Sequence, residues 1–375
     1  MTYNCRYYII FIKLIILNGR RLPPGERKKM INIALLGFGT VGSGVADVID
    51  ENRDRITARA GDEINIKYVL DLRDFPGHRY ESRIVKDFGI ILNDPEISVV
   101  VEMLGGVHPA ADFTRAALEA GKNVVTSNKA VVADCGDELL ALARKRNVRY
   151  LFEASVGGGI PVLRPLSEDL SENRIEKISG ILNGTTNFIL TEMSEKGAGF
   201  EETLREAQRL GYAEADPTAD VGGFDAARKI VILAALAWGK LFPLDAVSID
   251  GIERITQKDI SDAATRGCRI KLIAEAELNK DGRIALSVAP RLLPLGSMLA
   301  SVNGVFNAVM VRGSVTGDTV FYGRGAGKFP TAGAVVSDVI DACTRPAFRL
   351  PAHEWKRADA ADAAPAAGKY LTLCE

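Results

Sequence analysis

At 375 residues, with 47% hydrophobic and 25% charged positions, the chain has the balance of a soluble globular protein and the length for two cored domains, which excludes a disordered chain. Its net charge of -1 leaves no sequence-wide basic field to attract nucleic acid or an anionic membrane. The five cysteines, Cys5, Cys135, Cys268, Cys343 and Cys374, are scattered without CxxC spacing, which argues against a zinc site or a disulfide scaffold and suggests a reducing cytoplasm.

Residues 1–29 do not match the rest of the chain. Tyr7 to Leu17 is apolar but too short to span a bilayer, and Lys13 interrupts it. The basic stretch NGRRLPPGERKK comes after the apolar run, the reverse of a signal peptide. Met30 is therefore the expected start and the leader is expected to be dispensable; a membrane anchor is the alternative.

Ile31 to Leu36 reads as a buried strand that breaks at Gly37, Gly39 and Gly42 and passes into a helix-compatible stretch. In ALLGFGTVGSGV, residues 34–45, the first glycine makes the tight turn and the second lets the backbone approach a dinucleotide pyrophosphate. The third allows the helix to pack on the strand with its N-terminal N–H groups aimed at the anion. Phe38, Thr40 and Val41 complete this loop. Asn65 to Leu70 is a second strand, ending at Asp71, which is placed to accept from a ribose 2′-hydroxyl as NAD enzymes prefer. Arg73 could instead pair with a 2′-phosphate, so both coenzymes stay open, with a lean to NADP. A third strand, Ser98 to Met103, ends in Gly105-Gly106, and a helix from Pro109 to Ala120 stops at Gly121. Asn123 to Thr126 is a further strand leading into Ser127-Asn128-Lys129, followed by a helix at Gly136 to Arg146 and a strand at Arg149 to Phe152. Strands alternating with helices imply an α/β fold, a doubly wound parallel sheet of Rossmann type over 30–160. Its ligands are expected at the carboxyl ends of the strands, where Gly105, Gly106 and Lys129 fall.

After Pro161 the rhythm changes. Helices at Glu201 to Leu210, Asp225 to Trp238 and Asp262 to Glu277 mix with strands at Ile284 to Ala289 and Ala308 to Val311, a second α+β domain over 161–329. Pro330 to Cys343 reads as a helix, within 330–345, that returns to the first domain. Residues 346–375 read as a linker and a cut-short tail ending in KYLTLCE.

The densest polar constellation is GYAEADPTADVGGFDAARK, Gly211 to Lys229, where Glu214, Asp216, Asp220, Asp225 and the nearby Glu206 surround glycines and a proline that exclude regular helix. Helix resumes at Asp225, so Asp225 and Lys229 share one face at i and i+4. Alone, that is an ordinary solvated pair worth about a few tenths of a kcal/mol. Lys229, however, precedes IVILAALAW, apolar on nearly every side, and burial there would lower its pKa and suit it to proton transfer. The carboxylates before it could bind a substrate ammonium group. The three histidines, His78, His108 and His353, lack metal-ligand spacing, and Cys135, beside Asp134 and Asp137, is a poor nucleophile.

Taken together, GFGTVGSGV, VEMLGG, VVTSNKA, FEASVGGGIPVLRPL, GILNGTTNFIL, LGYAEADPTADVGGFDAARK and GRGAGKFPTAGAVVSD resemble the homoserine dehydrogenase family from about Met30 to Ala342. The resemblance implies interconversion of L-aspartate 4-semialdehyde and L-homoserine with NAD(P)H, on the route to threonine, methionine and isoleucine. It implies Lys229 as proton donor and Lys129 of SNKA as a second lysine beside the nicotinamide. Glu214 and Asp225, with Asp220 and Gly211 in the same loop, match substrate-holding positions, and Gly327 joins the coenzyme set. A monovalent cation, usually sodium, is implied near the hinge at Glu153, Val156, Gly158 and Ile160, where main-chain carbonyls suit a hard, singly charged ion. A homodimer is the expected assembly, with a tetramer as the alternative. The tail resembles the opening strand of a regulatory ACT domain, so threonine inhibition is expected to be absent. Another NAD(P)-dependent enzyme of an amino acid or semialdehyde, or a silent nucleotide sensor, are the competing readings.

Overall fold

The apolar runs read as strands are continuous rather than alternating because helices cover both faces of the sheet they build. In the computed structural model, which describes residues 30–345, 354–366 and 371–373, the first half alternates as β1 (Met30–Leu36), α1 (Thr40–Glu51), α2 (Arg53–Ala60), β2 (Glu63–Leu70), β3 (Ile84–Val85), α3 (Phe88–Leu92), β4 (Ile97–Glu102), α4 (Ala110–Glu119), β5 (Asn123–Thr126), α5 (Lys129–Arg146) and β6 (Tyr150–Leu151). All six strands pair in parallel, in the order β3-β2-β1-β4-β5-β6. The sheet is doubly wound, and its crossover direction reverses between β1 and β4, where a ligand crevice opens at the strand ends. The leader expected at 1–29 lies outside the described residues.

The second half continues with β7 (Ile175–Ile181), α6 (Gly184–Lys196), α7 (Phe200–Arg209), α8 (Thr218–Val221), α9 (Phe224–Trp238), β8 (Lys240–Leu241), β9 (Ser248–Ile249), α10 (Gln257–Thr265), β10 (Cys268–Leu278), β11 (Ile284–Pro294), β12 (Phe306–Gly313) and β13 (Gly317–Arg324). A mixed sheet runs β13-β12-β7-β10-β11 and carries α9 on one face. That helix buries Ile230 through Ala237 almost completely, as its all-round apolar sequence requires.

One sequence expectation fails here. The helix expected over Asp262–Glu277 ends at Thr265, and Cys268–Leu278 is instead the long strand β10, paired along its length with β11 and over Ala274–Glu277 with β7. The alanines and charges of RIKLIAEAEL favour helix locally, but Gly267 takes φ +64° and breaks it. Burial on both faces then decides for strand: Ile270, Leu272, Ala274 and Ala276 face the main core, and Ile273 faces the other side. A smaller difference is α8, a single helical turn inside the segment expected to be irregular.

After β13 the chain returns as α11 (Lys328–Thr344), which packs on α1 and shares the core of β1 through Ala332, Val335, Val336 and Val339. The crossing is close because Gly44 has no side chain; a Cβ there would meet the Lys328 carbonyl oxygen at 3.0 Å. The segment expected as a linker is also engaged. Trp355 packs edge-on to Phe152 and covers Gly136, β14 (Lys356–Arg357) pairs with β8, and β15 (Ala363–Ala364) and β16 (Thr372–Leu373) pair with β11. Among the described residues no helix is long and apolar enough to cross a membrane.

Candidate active site

Gly37 adopts φ +93°, the left-handed turn that leaves β1, and no Cβ fits at Gly42 because it would strike the Gly37 carbonyl. Gly39 then caps α1 with no side-chain hydrogen bond, so the amides of the first turn, at Thr40, Val41 and Gly42, carry no side-chain cap. These features fit a pyrophosphate. Phe38 is buried edge-on to Phe75, and its amide donates to Asp71 Oδ2 at 2.8 Å.

Asp71 and Arg73 do not act as separate levers on the coenzyme, as the sequence suggested. The Arg73 guanidinium donates to both oxygens of Asp71, at 3.0 and 2.9 Å, and the Arg73 amide adds a bond at 2.9 Å. The Arg73 side chain beside it holds the Asp71 carboxyl down at about 2, against the opposing effect of burial. Arg73 itself is 63% exposed at the mouth of the glycine turn, its guanidinium pinned through Asp71.

Between the two sheets lies a cleft of about 570 Å³, lined by residues of both. At its floor, Asp225 in the first turn of α9 bridges two lysines. Lys229, one turn further on, donates to Asp225 Oδ2 at 2.6 Å and to the Leu182 carbonyl at 2.7 Å. Lys129, the first residue of α5, reaches Asp225 Oδ1 at 2.9 Å. The meeting of α5 with α9 therefore brings together residues 96 positions apart in sequence, one from each sheet layer.

Burial alone would push the Asp225 carboxyl up, but the charges of Lys229 and Lys129 outweigh it and hold it well below the usual range. The same carboxylate holds the Lys129 ammonium up, against desolvation. Asp220 shifts the other way: burial, then the Asp225 charge, raise it. Asn183 joins the two acids, donating to Asp220 Oδ1 at 2.7 Å and to Asp225 Oδ2 at 2.9 Å. The Asp225–Lys229 pair is thus not the solvated surface pair its spacing alone would describe; both side chains are about nine-tenths buried.

Glu214 and Gly211 line the cleft with Asp220, and so do Val41, Lys129 and Gly327 of the expected coenzyme set. Gly37, Phe38, Gly39, Thr40, Gly42, Asp71 and Arg73 stand at the carboxyl ends of β1 and β2. Gly105 and Gly106 follow β4, with the Gly106 carbonyl held by Asn128 Nδ2 at 2.7 Å. Ser127, Ser155, Asn183, Thr185 and Tyr212 also line the cleft and were not singled out from sequence. Asn183 was findable: it precedes a helix and caps α6, accepting from Thr186 N at 2.8 Å.

The expected cation residues form the joint between the halves. The Glu153 carboxylate accepts from the amides of Val162, Leu163 and Arg164 at 2.7–2.9 Å, so its side chain is committed to the following helical turn. No group of three or more His, Cys, Asp or Glu among the described residues could hold a metal ion. Main-chain oxygens of Glu153, Val156, Gly158 and Ile160 are the remaining donors, and neutral carbonyls fit a singly charged hard ion. Gly158, at φ +53°, lies against the Gly325 carbonyl, where a Cβ would approach to 2.5 Å.

Two family models match the chain: homoserine dehydrogenase, NAD binding domain, over residues 37–153, and homoserine dehydrogenase over 161–340. A homoserine dehydrogenase from Neisseria gonorrhoeae is 46% identical over 315 residues, 84% of this chain and 72% of its own length. The crystal structure of a homoserine dehydrogenase from Thiobacillus denitrificans superposes with a TM-score of 0.82 at 43% identity, covering 88% of this chain and 77% of that one. A hyperthermophilic archaeal homoserine dehydrogenase mutant in complex with NADPH aligns at 30% identity and a TM-score of 0.72, covering 85% of this chain and all of that one.

Proposed function

From the premise that the chain belongs to the homoserine dehydrogenase family, an oxidoreductase family with an NAD(P)-binding domain, we propose that it interconverts L-aspartate 4-semialdehyde and L-homoserine in the cleft between its two sheets. The observation that carries this reading is the Lys129–Asp225–Lys229 bridge, which sets two ammonium groups on one buried carboxylate beside an uncapped glycine turn.

The nicotinamide, when bound, supplies or removes the hydride. The protein's own task is then the charge on the substrate oxygen. In the reducing direction Lys229 Nζ faces the oxygen as negative charge develops and transfers a proton to it; in the oxidising direction it takes that proton back. Asp225, fixed by both lysines and by Asn183, orients the amine. Lys129 adds a second positive charge at the coenzyme end of the cleft. Glu214, with Asp220 and the turn at Gly211, supplies acceptors for the substrate ammonium group.

The residues that would hold the coenzyme are Gly37 to Gly42 at the pyrophosphate, Arg73 with Asp71 at the adenosine ribose, and Gly105, Gly106, Lys129 and Gly327 along the rest. The NADPH complex of the archaeal relative supports NADP, and the exposed Arg73 agrees with that lean. A sodium ion held by the carbonyls of Glu153, Val156, Gly158 and Ile160 would brace the joint. A homodimer is supported by the outer face of the second sheet, where Ile273, Leu293 and Met310 continue into exposed Leu295, Met298 and Tyr322. The test is a direct assay of purified protein with homoserine and each coenzyme, following reduced nicotinamide. Turnover with homoserine that disappears in Lys229→Ala supports the reading; turnover of other hydroxy acids in its place overturns it.

A further inference from the structure

Two motifs carry polar residues that the coenzyme and substrate assignments leave unused: Glu102 in VEMLGG, and Thr126 and Asn128 in VVTSNKA. Glu102 ends β4 and sits in register between Leu36 of β1 and Thr126 of β5. It is fully buried, and no ion pair to it is seen among the described residues. An anion in that position is costly unless donors surround it. Its donors come from two loops. Leu104 N bonds Oε1 at 2.7 Å, Thr126 Oγ1 donates to Oε2 at 2.6 Å, and Asn128 Nδ2 reaches Oε1 at 3.4 Å.

The bonds continue outward. Thr126 Oγ1 accepts from Asn128 N at 2.9 Å, so its proton is directed to Glu102. Asn128 Nδ2 also donates to the carbonyls of Leu104 and Gly106, at 3.1 and 2.7 Å. The other end of the same amide, Oδ1, caps α5 by accepting from Ala130 N and Val131 N. Lys129 lies between that cap and the helix it begins. Every link from Glu102 therefore ends either on the Gly105-Gly106 loop or on the turn that launches Lys129. Burial raises the Glu102 carboxyl above its ordinary value, and the bonds from Thr126, Leu104 and Asn128 offset only part of that rise.

We propose that Glu102 is a positioning residue whose carboxylate ties the 103–106 loop to the 126–129 turn, so that the coenzyme's seat and the Lys129 ammonium move as one body. The proposal rests on the proposed function, in which those two segments hold the coenzyme and the second lysine. It predicts coupled losses: weakening the tie disturbs coenzyme affinity and turnover together and spares the substrate's own contacts in the 211–220 segment and on α9.

Glu102→Gln in the full chain is the direct test, because the amide keeps the shape and can still accept from Leu104 N but cannot accept from the Thr126 hydroxyl. NADPH binding is measured by fluorescence titration without substrate, alongside kcat, KM for homoserine and thermal melting. The expected result is a rise of about tenfold in the NADPH Kd and a fall of similar size in kcat, the worth of one buried hydrogen bond to a carboxylate, with KM for homoserine within about threefold. Thr126→Val removes the same bond from the other side and carries the test should the first variant fail to fold; Thr126→Ser should restore wild-type values. A lowered melting temperature with unchanged NADPH Kd and kcat would make Glu102 a strut only and overturn the proposal. Lys129→Ala run in parallel keeps the two claims apart. If it is inert in both assays, the reading of the site fails; if it is impaired while Glu102→Gln is not, only this proposal fails.

Discussion

Lys229→Ala removes the group on which the proposed chemistry depends, and the structure sets the size of each consequence. The side chain makes two bonds, to Asp225 at 2.6 Å and to the Leu182 carbonyl at 2.7 Å. Its loss leaves that carbonyl unpaired, but Asp225 keeps Lys129 and Asn183, and the cleft is open to water. The stability cost is therefore about 1–3 kcal/mol, that of one buried acceptor losing its donor, and the protein should stay folded. Turnover should suffer more. A positioned general acid is worth about 10²–10⁴-fold, or about 2.7–5.5 kcal/mol in the transition state, so kcat should fall by that factor. NADPH affinity should change by less than about threefold, below 1 kcal/mol, because Lys229 stands on α9, away from the glycine turn. Lys229→Arg should not rescue, since a planar guanidinium neither fits the Asp225–Leu182 geometry nor releases a proton readily. Steady-state kinetics with homoserine, NADPH titration and a thermal melt read the three quantities separately. Near-normal kcat with lost NADPH affinity would refute the reasoning and require the roles of the two lysines to be exchanged.

Lys129→Ala should lower kcat and also weaken coenzyme binding, because Lys129 starts at the end of a nucleotide-sheet strand; unchanged NADPH affinity in a titration would count against its placement. Arg73→Ala should raise KM for NADPH and lower KM for NADH, since the same change removes the phosphate partner and frees Asp71 for a ribose hydroxyl; equal effects on both coenzymes would show that Arg73 does not face the 2′-phosphate. Asp338, buried on α11, has its carboxyl pushed up to about 7, by burial first and then by Glu153, against the Arg164 guanidinium at 2.8 Å. Its folded pKa thus exceeds the unfolded value of about 3.9, so its contribution to stability is full below about pH 4 and is lost as pH rises through about 7. Melting temperature should accordingly carry a declining contribution between about pH 4 and 7 in the parent and less of one in Asp338→Asn; parallel curves would remove Asp338 as the cause. Gly158→Ala forces a Cβ against the Gly325 carbonyl at a φ of +53° and should destabilise by more than about 2 kcal/mol, while also abolishing any difference in melting temperature between sodium and choline buffers. A sodium effect that survives the substitution would place the ion elsewhere.

The nucleotide half was legible because parallel strands covered on both faces leave unbroken apolar runs, and each run ends in glycine or a polar turn. β10 was not legible for the opposite reason. Its lysine and glutamates suggest an exposed helix, yet Lys271 is fully buried, donating to Asn187 Oδ1 and Asn303 Oδ1, and Glu275 is buried against Lys177. Tertiary pairing overrode local propensity there. Asp71 and Arg73 were each found, but their mutual bond depends on side-chain direction at a strand end, which spacing does not specify.

The lysine pair shows most clearly where sequence reasoning stops. Asp225 and Lys229 can be placed on one helical face from spacing alone, and that spacing describes a weak surface pair. What changes its character is the arrival of Lys129 from the other sheet layer and the closure of Asn183 and Asp220 around it. With two cations on one carboxylate, Asp225 stays ionised despite burial, while Asp220 is raised by its own burial and then by that fixed negative charge. The cleft therefore holds an excess of positive charge at the oxygen end and acceptors, including Glu214, at the amino end. A zwitterionic amino acid with a side-chain hydroxyl can satisfy both ends in one orientation. Because Lys129 belongs to the coenzyme sheet and Asp225 to the other layer, that polarity exists only while the α5–α9 contact holds the halves together. The packing between domains, rather than either motif alone, sets the electrostatics of the reaction.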